Sequence, residues 1–150
     1  MAVTVSGLFL LTWIDVLDTT QLALNLDLDT HKLAMFTNSI TPNFSTNTAY
    51  AVSPYDANEV SGTGYTAGGA IINTTTVTES PTGTLMWDGD NVSWTTSTIT
   101  NARCGLAYAD ALAGNNAIVL IDFDADFSTV AGTFLVSWAS TGIFTIDLTP

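Results

Sequence analysis

The sequence predicts a mainly-β protein, a single-domain antiparallel β-sandwich of jelly-roll or Greek-key type with a short N-terminal helix. Charged residues make up only 11% of the chain, against about 25% in typical soluble proteins. Thr, Ser and Asn replace them, and this composition favours pleated strands. About seven segments of strand character recur roughly every 8–12 residues, as in sandwiches and barrels. The 150 residues show no linker or internal repeat, which fits one domain.

The helix is expected within residues 1–24, ahead of a β core over residues 25–150. Its apolar face has helical spacing and consists of Leu10, Trp13, Ile14 and Leu17. The apolar run is far shorter than the ~20 residues of a membrane-spanning helix. A signal peptide would begin with positive charge, whereas Lys32 is the first basic residue. We therefore expect a helix that docks on the domain or on a neighbouring subunit, and a β core that folds without residues 1–18.

The strands are expected in the remainder of the chain. The first is HKLAMFTNS, and a loop punctuated by Pro42 and Pro54 follows it. SPYDANEV predicts one or two helical turns, with Pro54 at the first helical position. The turn signals SPTG and DGDN separate later strands. The remaining strand-like segments are AIINTTTVTE, TLMWDG, NVSWTTSTIT, ARCGLAYAD, AIVLIDFDAD, GTFLVSWAS and GIFTIDLTP.

The charge balance excludes two classes of partner. The net charge is −12 at pH 7, and Lys32 and Arg103 are the only basic residues. Affinity for nucleic acid comes mainly from Lys and Arg, so nucleic-acid binding is not expected. An anionic membrane surface would repel the chain for the same reason. We expect Arg103 to pair with an aspartate, either in its own chain or across a subunit interface.

Catalytic motifs are lacking, so we expect neither enzymatic activity nor a cofactor. The single cysteine, Cys104, lies among small apolar residues and excludes an intramolecular disulfide. The single histidine, His31, has no nucleophile motif beside it. In the glycine-rich stretch NEVSGTGYTAGGA, Tyr65 stands where a phosphate-binding loop needs lysine. We interpret this stretch as architectural, with glycines that supply positive φ.

The segment IDFDAD is the weak candidate for a metal site. On a regular strand, Asp122, Asp124 and Asp126 share one face at about 7 Å spacing. Such carboxylates can serve glycoside hydrolysis or bind Ca²⁺ or Mg²⁺. A solvated acidic face opposite Phe123 and Phe127 needs no such chemistry. The interpretation we favour is the solvated face, with no bound metal.

Four segments carry a resemblance to a known family: HKLAMFTNSITPN, YAVSPYDANEVSGTGYTAGG, VSWTTSTITNARCGLAYAD and IDFDADFSTVAGTFLVSWASTGIFTIDL. In this order they resemble a family of small virion structural proteins of tailed bacteriophages. The resemblance covers roughly residues 25–148. Asp124 departs from it, since a glycine often stands there.

The resemblance implies a non-enzymatic virion protein. The role expected first is a capsid decoration or minor capsid protein on the particle surface that stabilises the head. The alternative is a tail-associated protein of the tube, tip or fibre. The expected partners are further copies of the chain, a homotrimer by analogy with other head-decoration proteins, and the major capsid protein or other virion proteins. Before assembly the protein would reside in the host cytoplasm.

A carbohydrate- or metal-binding adhesin-like sandwich remains the other class of function. A sugar site needs exposed aromatic side chains beside polar groups. The tryptophans expected in the core are Trp87, Trp94 and Trp138. The tyrosines expected in loops, and therefore the candidates for stacking on sugars, are Tyr50, Tyr55 and Tyr65.

Overall fold

The structure is a computed structural model that describes residues 2–149. This part of the chain contains eight strands and one helix. In chain order these are β1 (Gly7–Leu8), α1 (Leu10–Leu17), β2 (His31–Phe36), β3 (Ala70–Ile72), β4 (Thr76–Ser80), β5 (Thr84–Asp88), β6 (Val92–Ala109), β7 (Ala117–Val136) and β8 (Phe144–Asp147). Within residues 2–149, no helix has the length and apolar character needed to span a membrane.

The strands form two antiparallel sheets. The larger has the order β1-β7-β6-β2-β3 and the smaller the order β4-β5-β8. The predicted class, a mainly-β antiparallel sandwich with a short N-terminal helix, is confirmed. The SPTG turn closes the β4–β5 hairpin as expected. The DGDN turn instead carries the chain from the smaller sheet to the larger, because β5 and β6 do not pair.

Strands β6 and β7 are far longer than the sequence predicts, with 18 and 20 residues. Four segments expected as separate strands merge into these two, which pair with each other as a long hairpin. Irregular points interrupt the pairing, and four residues within the two strands have positive φ: Thr96, Asn101, Asp124 and Ala131. Bulges of this kind bend a strand without ending it, which is why the sequence reads as shorter pieces.

The larger sheet is covered by apolar residues on both faces, as β2 demonstrates. Leu33 and Met35 belong to the cluster that also contains Trp87 of the smaller sheet. The alternate residues, Ala34 and Phe36, belong to a second cluster on the opposite face. Because successive side chains of a strand point to opposite faces, β2 reads as an almost continuous apolar run.

The N-terminal segment is part of this second cluster. Val3 and Phe9 are fully buried, and β1 pairs with β7 through Gly7 and Leu8. The helix occupies only Leu10–Leu17 of the first 24 residues, and its Thr12 hydroxyl donates to the Ala117 carbonyl at 2.6 Å. Removing residues 1–18 would therefore open the core, contrary to the expectation of a separable helical segment.

The segment SPYDANEV does not form the helical turns expected from its sequence. Residues 50–57 form successive turns. Tyr55 is buried among them, with its ring edge-on to Phe9 and Phe36. Anchoring this ring in the core fixes the path of the loop more strongly than local helix signals do.

Candidate functional site

Helix α1 presents three apolar side chains to solvent. Leu10, Ile14 and Leu17 are 50%, 42% and 83% exposed, and their spacing places them on one side of the helix. Trp13, expected on the same face, lies at its margin and turns inward. Its ring packs edge-on against Phe144 of β8, with centroids 5.8 Å apart. We call Leu10, Ile14 and Leu17 the helix face.

Arg103 forms an ion pair within its own chain. Its Nε donates to Asp122 Oδ1 at 2.9 Å, and Nη2 donates to the Val3 carbonyl at 2.8 Å. Asp126 Oδ1 is more distant, 3.9 Å from Nη1. The arginine side chain is 17% exposed and that of Asp122 only 3%. The pair therefore fixes the N-terminal segment to the β6–β7 hairpin.

The three aspartates of IDFDAD do not form the common face that a regular strand would give them. Asp124 has φ of 64°, so the strand bulges at this residue. Asp122 Oδ1 accepts from Arg103 and from the Asp124 backbone N–H, while the side chain of Asp126 is 45% exposed. Among residues 2–149, no group of three His, Cys, Asp or Glu side chains is arranged to hold a metal ion.

The two residues most suited to nucleophilic chemistry lie far apart. Cys104 pairs with Phe36 at one end of the β2–β6 ladder, and His31 pairs with Ala109 at the other. Five residues of strand separate them, roughly 16 Å. Cys104 is fully buried as expected, and burial raises the pKa of its thiol to about 12. The thiol is thus protonated at neutral pH and distant from the imidazole of His31.

The glycine-rich loop packs directly on the larger sheet. A Cβ atom at Gly62 would overlap the backbone carbonyl of Thr98, and one at Gly69 would overlap that of Leu33. Both glycines have positive φ, 142° and 75°. The loop is therefore architectural, because only residues without a side chain allow this backbone to approach β2 and β6.

Glu59, which the sequence analysis did not single out, holds the loop in place. Its carboxylate accepts hydrogen bonds from the Tyr65 hydroxyl at 2.6 Å, the Gly68 N–H at 2.7 Å and the Tyr50 hydroxyl at 2.9 Å. The Tyr108 hydroxyl donates to the Gly68 carbonyl at 2.9 Å. In the stretch NEVSGTGYTAGGA, Glu59 is the only charged residue, and this was the signal that the sequence offered.

The tyrosines proposed for sugar stacking are engaged within the protein. Tyr50 stacks on Tyr108 with centroids 4.5 Å apart, and Tyr55 is buried. Tyr65 donates to Glu59 and accepts from the Met35 N–H. Burial, followed by the bond to Glu59, raises the pKa of Tyr50 to about 12. The rings of all three, and the hydroxyls of Tyr50 and Tyr65, thus serve contacts within the protein.

A groove of about 530 Å³ runs along β7. It is lined by residues 121–123, 127–129 and 133–138. Apolar lining comes from Phe127 and Leu135, both half exposed, and from Trp138. Trp94 and Trp87 lie in the core as expected, whereas Trp138 is only partly buried and borders this groove. We call it the β7 groove.

The chain matches no protein-family model, no curated protein and no solved structure in the three comparisons made. The features of the structure that bear on function are therefore the helix face, the β7 groove and the distribution of charge. The helix face is apolar and exposed, and the lining of the β7 groove is apolar or uncharged apart from Asp122.

Proposed function

We propose that the protein is a non-enzymatic structural component of a bacteriophage particle, most specifically a capsid decoration or minor capsid protein that stabilises the head. A tail-associated role is the second candidate, and the resemblance of the sequence to small virion proteins supports both. The observation that carries the proposal is the helix face. Three large apolar side chains exposed together on one short helix indicate a surface that another protein covers.

The distribution of charge supports a partner that differs from this chain. Both basic residues are already paired internally, Arg103 with Asp122 and Lys32 with Asp110 at 3.0 Å. The surface therefore offers carboxylates but few cations for binding another molecule. A partner that supplies Lys or Arg would gain electrostatically from contact with it. The major capsid protein, or another virion protein with a basic surface, is the partner we propose.

The side chains capable of nucleophilic or acid–base chemistry are placed in a way that supports a structural role as well. The Cys104 thiol and the His31 ring are buried at opposite ends of the β2–β6 ladder. The carboxylate of Asp122, which is the cross-strand partner of Cys104, is paired with Arg103. The glycine-rich loop is occupied by its own contacts with β2 and β6. These arrangements favour a protein that acts through its surface.

Particle composition tests the proposal directly. Particles from the phage or prophage that encodes the chain would be purified on a density gradient and analysed by quantitative mass spectrometry. We expect many copies per particle, in the head fraction after heads and tails are separated. Recovery in tails would favour the second candidate. A chain found only in the soluble lysate, and not in particles, would contradict both.

Substitution of the helix face tests the observation that carries the proposal. The triple variant Leu10→Ser, Ile14→Ser, Leu17→Ser should retain the fold but lose binding to purified heads. Leu28→Ser with Leu148→Ser is the matched control, since both leucines are highly exposed and lie outside the helix. Equal binding by the two variants would show that the helix face is not the contact.

A further inference from the structure

The β7 groove lies in a bend of its strand. On a straight strand, Phe123 and Phe134 of β7 would be separated by about 36 Å. Their rings instead lie close together, with centroids 6.3 Å apart and planes tilted by 46°. Two residues with positive φ, Asp124 and Ala131, lie between them and bend the strand. Because the lining residues come from both sides of this bend, the groove is a concave pocket rather than a flat sheet edge.

The lining of the β7 groove is rich in aromatic rings, which are contributed by Phe123, Phe127, Phe134 and Trp138. The ring of Phe127 is half exposed and therefore accessible to a ligand. The position of Trp138 is fixed by two hydrogen bonds. Its Nε1 donates to the Asp90 carbonyl at 2.9 Å, and its backbone N–H donates to Asn91 Oδ1 at 3.0 Å. Because the indole N–H is already bonded, Trp138 can offer a ligand only its ring surface.

The β7 groove is also electronegative. Asp122, the one charged residue in its lining, is 3% exposed, and its Oδ2 has no hydrogen-bond partner within residues 2–149. Asp124 and Asp126 follow directly, between two of the lining segments. Within the described chain, Asp122 and Asp126 share a single cation, Arg103. Carboxylates therefore outnumber cations here, and the apolar walls of a cleft focus the resulting field.

We propose that the β7 groove binds a weakly hydrated organic cation, an alkylammonium or guanidinium group. The π faces of aromatic rings attract such cations, and so does the excess of carboxylates. An N–H or O–H group of the ligand beside Asp122 would supply the missing partner of Oδ2. Either a free small molecule or an arginine side chain of another protein can carry this chemistry. The inference does not rest on the proposed function, because the groove shares no residue with the helix face.

The groove is less suited to other ligand classes. An anion would be repelled by the carboxylates. A neutral saccharide needs free polar groups, whereas two of the lining hydroxyls are already bonded to β6. Ser128 Oγ accepts from the Asn101 N–H at 2.9 Å, and Thr129 Oγ1 lies 3.1 Å from Ser97 Oγ. The ammonium of lysine is more strongly hydrated than a guanidinium and gains less from aromatic faces.

A pair of ligands of equal shape tests the role of charge. Choline is compared with the uncharged alcohol in which carbon replaces its nitrogen. In an NMR titration of isotope-labelled protein, choline should bind at least about tenfold more tightly, or about 1.4 kcal/mol. It should also shift the indole N–H signal of Trp138. Equal affinity for the two ligands would overturn the proposal.

General screening of a chain with net charge −12 is controlled by replacing NaCl with choline chloride at constant ionic strength. A specific site gives shifts that saturate and are confined to residues around the groove. Shifts that never saturate and spread over the acidic surface would contradict a site.

Substitution of Phe127 tests the role of the rings. Phe127→Leu should weaken choline binding at least about threefold, whereas Phe127→Tyr should retain it, because only the leucine lacks a π face. The control is Val130→Ala, since Val130 is exposed on the same strand but does not line the groove. Circular dichroism should show native strands in all three variants. Choline binding unchanged by Phe127→Leu, or weakened equally by Val130→Ala, would overturn the aromatic site.

Two further probes distinguish the sources of the cation. Tighter binding of acetyl-arginine amide than of choline identifies a protein side chain as the source, and the reverse order identifies a small molecule. Either order supports the cation site. Acetyl-lysine amide should bind more weakly than acetyl-arginine amide. Binding of N-acetylglucosamine in the groove more tightly than either cation would show that the groove is a saccharide site instead.

Discussion

Arg103 and Asp122 join the two long strands to the beginning of the chain. The guanidinium bonds to the carboxylate at 2.9 Å and to the Val3 carbonyl at 2.8 Å. The backbone N–H of Asp122 donates to the Ser6 hydroxyl at 2.9 Å. One ion pair thus holds β6, β7 and the N-terminal segment together, which makes it a sensitive point for stability.

Arg103→Met should lower the free energy of unfolding by about 3 kcal/mol or more, because it leaves the carboxylate of Asp122 buried and unpaired. The matched control is Lys32→Met. Lys32 forms an ion pair with Asp110, and each of these two side chains is about one-third exposed. That change should cost at most about 1 kcal/mol. Urea unfolding measures both variants, and equal losses would contradict the structural role assigned to Arg103.

Glu59→Gln should lower the free energy of unfolding by about 1–3 kcal/mol. The Tyr50 hydroxyl, the Tyr65 hydroxyl and the Gly68 N–H would lose their charged acceptor, and the NH₂ group of the glutamine would have to face groups that donate hydrogen bonds. The control is Glu79→Gln, since Glu79 is exposed and accepts only from the Gly83 N–H at 3.1 Å. Hydrogen exchange of the loop around Gly68 should accelerate in the first variant alone. Unchanged exchange there would show that Glu59 does not hold the loop.

Gly62→Ala should destabilise the fold by about 1–3 kcal/mol from the backbone conformation alone, and overlap with the Thr98 carbonyl adds to this cost. Gly132→Ala is the control, since a Cβ there has an ordinary contact at 3.7 Å and no positive φ. It should be neutral or stabilising by up to about 1 kcal/mol. Thermal unfolding of the two variants separates a conformational requirement from a general effect of adding a methyl group.

Stability should fall as the pH is lowered from 7.5 to 5, because His31 is buried. Burial lowers its folded-state pKa below 6.5, although Asp29 opposes the shift. The unfolded chain therefore binds more protons just below pH 6.5, and the stabilisation present above that value is lost as the pH falls through this window. His31→Leu should flatten this dependence. Equal slopes for the two proteins would indicate that other groups titrate.

Removal of divalent cations should leave the melting temperature unchanged, because Asp122 is already neutralised by Arg103 and Asp124 bulges away from a common face. EDTA and added CaCl₂ would be compared with NaCl at matched ionic strength, since a chain of net charge −12 also responds to screening. Loss of stability in EDTA that only Ca²⁺ restores would contradict the solvated-face interpretation.

Composition and periodicity were sufficient to predict the fold class. The alternation of Phe134, Val136 and Trp138, and the SPTG turn, are local signals that the structure retains. Strand lengths were not predictable in the same way. The bulges at Thr96, Asn101 and Asp124 resemble strand ends in sequence, yet pairing with the neighbouring strand continues beyond them.

The candidate surfaces were predicted only in part. Helical spacing identified Leu10, Ile14 and Leu17, but the inward turn of Trp13 depends on Phe144, which is distant in sequence. The β7 groove had no local signal, because it forms at a bend that brings together residues distant in sequence. The ion pair of Arg103 was expected, whereas its bond to Val3 required the three-dimensional fold.

The pairing of β1 with β7 has a consequence for biosynthesis. Gly7 and Leu8 of β1 pair with Leu120 and Val119 of β7. This pairing therefore cannot form until most of the chain has left the ribosome. Contacts so distant in sequence close late and slow the folding of β proteins. Until then Val3 and Phe9 are exposed on the nascent polypeptide, together with the apolar start of α1. Chaperone binding to this segment during translation is the expected result, followed by release when the β6–β7 hairpin is complete.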